Sequence, residues 1–220
     1  DDMKYPLPIL TLIILLIGSA FGQLPSKNQV LWLDASDADS LTTEADGTIS
    51  QWADKSGANS NAVQVVAERR PVISEAAIGG KNAIRQDATT GMRINLNLAR
   101  PYSIFIVDQY AADAVNKGRT LQSAFGTGGN WLIGKWNGYH GHHPGQWAGI
   151  DAGIPAPNGE AKISEGTGGW QSSEWSLNGF GYGGNGNPVS PGALGFGSDG
   201  QSQEISQAEI GEIIAYNRLL

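Results

Sequence analysis

Apolar residues along this chain come in short runs, and Gly, Asn, Asp and Ser break them up. Val30–Leu33 is the first run, and it stops at the turn-forming Asp34-Ala35-Ser36-Asp37. Thr48–Trp52 alternates and stops at Asp54-Lys55-Ser56-Gly57; Ala62–Val66 follows. Each reads as a β-strand, because alternation with a period of two lines one face of an extended chain. Tyr102–Val107 (YSIFIV) is apolar on both faces, which predicts a central strand. Leu121–Phe125 and Trp131–Trp136 come next, separated by Gly126-Thr127-Gly128-Gly129, which reads as a hairpin turn. Ala193–Phe196 is short, and Ile210–Tyr216 closes the chain. Strict alternation there puts Ile210, Glu212, Ile214 and Tyr216 on one face, with Ile213 and Ala215 on the other.

Beyond the N-terminal run, no window carries the period of ~3.6 residues that marks an amphipathic helix. Ser36–Thr43 has room for one helical turn, and Arg70-Pro71 would stop anything helical before it. Gly179–Gly200 is rich in Gly, Asn, Ser and Pro and could be a linker. Phe180, Tyr182, Leu194 and Phe196 punctuate it, so loops and a strand within the same domain are expected. Many short strands between turns predict an all-β fold, a two-sheet antiparallel sandwich over residues 27–220.

The N-terminus follows different rules. Lys4 precedes the apolar run Leu7–Ile17, and Gly18-Ser19-Ala20-Phe21-Gly22 supplies small residues after it. This is the layout of a secretory signal peptide over residues 1–22, with cleavage after Gly22 and with Asp1 and Asp2 upstream of the start Met3. The competing reading is a membrane anchor, since Tyr5–Gly22 lies near the lower limit of a spanning helix, ~17 residues. The small-residue motif favours cleavage, which leaves no stable membrane insertion. The chain has no Cys, so a lipoprotein anchor, a disulfide frame, a thiol nucleophile, Cys-ligated zinc and an iron–sulfur cluster are all excluded. An exported chain without cysteine fits a bacterial envelope or medium, secreted or at the cell surface. The 14 basic and 21 acidic side chains leave a net charge of −7, which argues against a nucleic-acid partner. The sequence carries no phosphate loop, dinucleotide fingerprint or nucleophile elbow.

Four segments in order carry a resemblance: Val30-Leu31-Trp32-Leu33-Asp34-Ala35-Ser36-Asp37, then Gln51-Trp52-Ala53-Asp54-Lys55-Ser56-Gly57 with Arg69-Arg70-Pro71 after it, Pro101–Val107, and Ala208–Leu220. Together they resemble the laminin-G-like, concanavalin A-like lectin/glucanase domains of secreted bacterial proteins, over about residues 28–220. The resemblance implies a jelly roll whose first and last strands lie together, pairing the strand of Trp32 with that of Ile213. Two features depart from the family. Gln86, within Ala83-Ile84-Arg85-Gln86-Asp87-Ala88, stands where Phe is common, and the chain stops at Leu220 where the family often continues. The second departure suggests a fragment of a longer product with further domains.

Candidate chemistry falls into four groups. The glucanase branch needs two carboxylates roughly 5–9.5 Å apart, and its Glu-x-Asp-x-(x)-Glu pattern is absent. Glu209 and Glu212 are three apart, which on a regular strand sends them to opposite faces; Glu160 and Glu165 share that defect, and Asp37 and Asp39 lie in a turn. Asp34, Asp37 and Asp54, with Asp39 nearby, could hold calcium, the one candidate cofactor, or could cap their own turns. His140, His142 and His143, with Asp151, could hold zinc or copper. Only His140 and His142 share a face, and Asn137-Gly138 and Pro144-Gly145 flank the cluster, so an exposed loop is expected. The aromatic residues Trp136, Tyr139, Trp147, Trp170 and Trp175 lie in or beside Gly- and Asn-rich segments, whereas Trp32, Trp52 and Trp131 sit in strand patterns. Sugar rings stack their C–H faces on aromatic planes while polar side chains bond their hydroxyls. Trp136, Tyr139, His140, Trp147 and Trp170 are therefore the candidate carbohydrate contacts, set against the reading that such aromatics plug the ends of the sandwich. The expected function is a secreted, non-catalytic module binding a polysaccharide or glycan and requiring no cofactor. The alternatives are a glycoside hydrolase with an atypical acid pair and a structural adhesion domain.

Overall fold

The computed structural model describes residues 24–148, 153–200, 202 and 204–220. The segment read as a signal peptide, and Asp151, lie outside the described residues. Among the described residues the regular structure is strand, with two single turns of 3-10 helix at Ala38–Ser40 and Ala67–Arg69. The first of these is the helical turn expected within Ser36–Thr43. No helix among the described residues is long and apolar enough to cross a membrane.

The strands run β1 (Gln29–Asp34), β2 (Leu41–Thr43), β3 (Ile49–Trp52), β4 (Ala62–Val63), β5 (Val72–Ile78) and β6 (Lys81–Gln86). Then come β7 (Gly91–Leu98), β8 (Tyr102–Tyr110), β9 (Leu121–Ser123), β10 (Trp131–Trp136) and β11 (Tyr139–Pro144). The last are β12 (Lys162–Gly168), β13 (Ser172–Leu177), β14 (Phe180–Gly186), β15 (Gly192–Gly197) and β16 (Ala208–Tyr216). They form two antiparallel sheets. One is ordered β14-β13-β12-β8-β16-β6-β5, with β1 also paired to β16; the other is ordered β11-β10-β9-β15-β7-β4-β3-β2. The expected two-sheet sandwich is therefore the fold.

The core lies between the sheets and follows the alternation of each strand. On β8 the alternate residues Tyr102, Ile104 and Ile106 are fully buried, and Trp131 and Ile133 of β10 belong to the same cluster. Trp52, Phe196, Leu31 and Leu33 complete it. The indole N–H of Trp131 donates to the Tyr102 hydroxyl at 2.7 Å, so that buried donor is satisfied. Beginning and end of the chain meet as expected: β1 pairs β16, with Trp32 opposite Ile214 and Leu33 opposite Ile213.

One strand departs from simple alternation. β16 shifts register between Ile210 and Glu212, a bulge at Gly211 that adds one residue without a partner. Ile210 therefore joins Ile213 and Ala215 in the core, and Glu212 and Ile214 turn to the outer face. The same bulge corrects the expectation for Glu209 and Glu212. Glu209 pairs beside Gln109 and Glu212 beside Val107, so both carboxylates point outward from one sheet.

Turn chemistry explains several strands that the apolar runs did not reveal. Asn137 and Gly138 both have positive φ, as do Asn178 and Gly179. Two successive residues of this kind make the tight primed turn that matches the twist of a hairpin. The first joins β10 to β11, and the second joins β13 to β14. Gly179–Gly200 is accordingly no linker, because it supplies β14 to one sheet and β15 to the other.

Candidate functional site

The outer faces of β12, β13 and β14 form a groove of about 510 Å³. Register decides what lines it. Thr167 of β12 lies opposite Glu174 of β13, and Glu165 lies opposite Ser176. Their alternate neighbours Gly166 and Trp175, which pair with each other, face the interior. Glu165, Thr167, Glu174 and Ser176 therefore share the outward face, and all four line the groove. β14 adds Gly181, Gly184 and Gly186 with almost no side chain, so this part of the floor is bare backbone. At Gly184 any Cβ would collide with the Ser173 carbonyl oxygen, so the absence of a side chain there is a packing requirement. The Ser176 hydroxyl donates to Glu165 Oε2 at 2.9 Å. Neither Glu165 nor Glu174 takes part in an ion pair among the described residues.

The two acids are diagonal cross-strand neighbours. Such neighbours stand ~7–8 Å apart at the backbone. Sequence reasoning missed this arrangement, because it tested acid spacing along single strands and Glu165 and Glu174 come together only across a hairpin. The turn signal Gly168-Gly169 between two short polar stretches was the available clue. Trp170 sits on that turn, between the groove residues Thr167 and Ser172 in sequence but not itself among the lining residues, and is 68% exposed. The Arg100 guanidinium lies over its ring, 5.6 Å from the centroid.

The other aromatic candidates gather elsewhere. Trp136 and Trp147 meet with ring centroids 4.9 Å apart and planes inclined at 46°. The His143 ring stands edge-on to Trp147 at 4.7 Å. Both tryptophans are half-buried, and their inclination denies a sugar a common flat platform. Trp136 also lines an open hollow with Lys117, Asn137 and Glu204, equal in volume to the groove at about 510 Å³. Arg119 Nε donates to Glu204 there at 2.8 Å. Tyr139 begins β11 and is 43% exposed. Trp175 is buried under Ala148 and Leu177.

The histidines correct the expectation of an exposed loop. They lie on β11, paired to β10 with Lys135 opposite His140 and Ile133 opposite His142. His140 and His142 do share a face, but that face is the interior: His140 is 1% exposed and His142 is fully buried. His140 is thus turned away from any surface ligand. Burial lowers His140 to about 3, with the charges of Lys135 and Lys162 adding to the effect. Burial likewise lowers His142 to about 4, while its Nδ1 bonds the Leu132 carbonyl at 2.9 Å. Both rings are neutral at pH 7.

Beside His140 an ion pair crosses the core. Lys135 Nζ donates to Asp108 Oδ1 at 2.6 Å and to the Asp108 carbonyl at 2.7 Å, with both side chains at 0% exposure. Gly134, next to Lys135 on β10, has φ +102°, and a Cβ there would stand 2.6 Å from Asp108 Oδ2.

The turn carboxylates cap the protein's own groups. Asp54 accepts from the backbone N–H groups of Trp32 (2.8 Å), Ser56 (2.9 Å) and Ser60 (3.0 Å). Asp34 accepts from Ser36, and Asp34 and Asp37 share the Lys55 ammonium at 3.0 and 2.7 Å. A cation already stands between those two carboxylates, so the residues do not fit calcium as they are arranged. Among the described residues no group of three or more His, Asp or Glu is placed to hold a metal ion. The outward pair Glu209 and Glu212 is engaged as well. Glu209 accepts from Ser74 and Gln109, both at 2.6 Å, and Glu212 accepts from the Trp32 indole at 2.8 Å. The hollow beside Glu212 holds about 100 Å³, below the ~300 Å³ of a small-molecule site.

No family model matches this chain, and no curated protein matches it. Solved structures do. Domain 4 of AbnA, a GH43 extracellular arabinanase from Geobacillus stearothermophilus, solved in complex with arabinotriose, superposes with TM-score 0.60 at 12% identity. That match covers 86% of this chain and 92% of that one. The binding domain of Paraclostridial Mosquitocidal Protein 1 gives TM-score 0.56 at 15% identity, over 89% of this chain and 50% of that one. Trypanosoma rangeli sialidase, in complex with the inhibitor DANA, gives TM-score 0.55 at 13% identity, over 87% of this chain and 31% of that one. The chain thus spans half the length of the toxin domain and about a third of the sialidase. At these identities the likeness establishes the fold alone, a β-sandwich.

Proposed function

We propose that this chain is an exported, non-catalytic glycan-recognition module, of the laminin-G-like kind within the concanavalin A-like sandwiches. Its ligand site is the groove across β12, β13 and β14. The observation that carries this reading is the groove itself: about 510 Å³ of open space with a glycine floor and walls of Thr167, Ser172, Ser176, Glu165 and Glu174. Glycine lets a sugar approach the backbone, and the hydroxyls and carboxylates accept and donate to its hydroxyl groups. Trp170 on the adjoining turn offers an exposed ring for stacking on the face away from Arg100. The arabinotriose complex of the AbnA domain gives the same fold a sugar ligand.

A glycan array on the chain tests the reading, run with and without calcium. Binding is expected in both conditions, and Trp170→Ala should lower it ~10-fold, an aromatic anchor of ~1–2 kcal/mol. Trp136→Ala should leave it unchanged. An array with no glycan signal would refute the proposal. A signal abolished by Trp136→Ala and untouched by Trp170→Ala would move the site to the opposite sheet.

One observation favours a second reading, glycoside hydrolysis. Glu165 and Glu174 stand diagonally in the groove, ~7–8 Å apart at the backbone, so their side chains can bring the carboxyl groups to the separation such acid pairs need. Release of reducing ends from an array-positive polysaccharide, lost in Glu165→Gln and in Glu174→Gln, would establish it. Binding without release leaves recognition as the function.

A further inference from the structure

We propose that Glu165 and Glu174 make the groove selective for glycans bearing protonated amines, that is, polymers of deacetylated amino sugars. The inference rests on the groove being the ligand site and goes beyond it by naming the charge of the ligand.

Three observations carry it. Glu165 and Glu174 both face into the groove, and no Lys or Arg is among the residues lining it, although Arg100 stands over Trp170 on the adjoining turn. Their carboxylates are not neutralised within the protein, since none of the ion pairs among the described residues includes either acid. The Ser176 hydroxyl reaches Glu165 Oε2 but brings no charge. Other acids on the surface have a charged partner: Asp34 and Asp37 share Lys55, and Glu209 has Arg85 at 4.0 Å. The groove also has space for an occupant beside these acids, which the hollow next to Glu212 lacks.

The consequence is electrostatic complementarity. A sugar ring placed on the glycine floor of β14 lies beside Glu174 on β13, with Glu165 one strand further on β12. An ammonium on that ring gains a charge-assisted hydrogen bond to either acid. A neutral acetamide gains only ordinary hydrogen bonds, and a uronate or sialate meets like charge, which suppresses the wrong partner. The chain's net charge of −7 adds to the repulsion of acidic polymers at long range.

Calorimetric titration of the chain tests this with three probes of equal length: fully deacetylated chitosan oligosaccharide, its N-acetylated counterpart and an oligogalacturonate. The deacetylated probe should bind about 10-fold more tightly than the acetylated one, and the acidic probe should not bind. The double variant Glu165→Gln/Glu174→Gln should bring the first two within about threefold of each other. In the unaltered chain, raising the salt concentration should shrink the same ratio, a measurement that needs no variant to fold. Equal affinities for the first two probes would overturn the inference and leave glycan recognition standing. A preference that survives in the double variant would also overturn it, because the acidic surface at large would then be responsible. No binding by any probe, with an empty array, would overturn both readings.

Discussion

Lys135→Met should be among the most damaging single substitutions in this protein. The ammonium of Lys135 lies in the core against Asp108, with no solvent exposure on either side chain. It donates at 2.6 Å to Oδ1 and at 2.7 Å to the carbonyl oxygen. Asp108 Oδ2 has no hydrogen-bond partner. Methionine fills much the same volume, so packing changes little and the loss is electrostatic. It leaves a carboxylate uncompensated in a dry interior, which costs about 3–5 kcal/mol. Set against a typical domain stability of ~5–15 kcal/mol, that is a third of the total or more. Urea unfolding followed by tryptophan fluorescence measures it, and the midpoint should fall by about 1–3 M. The companion variant Lys135→Met/Asp108→Leu removes both charges and should recover most of the loss, since apolar replacement of a buried pair is often neutral. A midpoint shift of less than about 0.5 M in the single variant, or a double variant no more stable than the single, would refute this role for the buried pair.

Two other substitutions probe the same interior. His142 is fully buried and lowered by burial to about 4, so the unfolded chain takes up a proton near pH 6.5 that the folded chain refuses until about pH 4. Stability is therefore complete above ~6.5 and falls below it by up to ~1.4 kcal/mol per pH unit for this group. His142→Gln should flatten the acid limb of a stability–pH curve, and parallel curves for variant and parent between pH 6.5 and 4 would refute the assignment. Gly166→Ala should also destabilise. Its Cβ would stand 2.7 Å from Ile133 Cδ1 and 2.9 Å from the His142 ring, overpacking worth about 1–3 kcal/mol. Thermal melting should fall by about 2–12 °C, and an unchanged melt would show that the sheets can part at that point.

The sequence made the sandwich legible wherever burial on one face wrote an alternating pattern. Val30–Leu33 and Trp131–Trp136 were strands on that evidence, Tyr102–Val107 was one because it is apolar on both faces, and all three contribute to the core. The strands that carry the groove were not legible, for a physical reason. Lys162–Gly168, Ser172–Leu177 and Phe180–Gly186 lie toward one edge of their sheet, where the inner face needs only Gly166, Trp175 and a few neighbours, and the outer face is polar. With little apolar area to bury, serine and glycine suffice, and the same residues spell a loop. What decides between strand and loop there is the Asn178-Gly179 turn and the pairing it enforces. The histidines misled for the opposite reason. Polar side chains are rarely fully buried, yet alternation alone puts His140 and His142 on one face, and Asn137-Gly138 folds that face inward. The Gly211 bulge is a third kind of case, in which one extra residue reverses the face of everything before it. A functional surface built from short polar strands at a sheet edge thus leaves its trace in turn residues and pairing register, while hydrophobic periodicity marks only the scaffold beneath it.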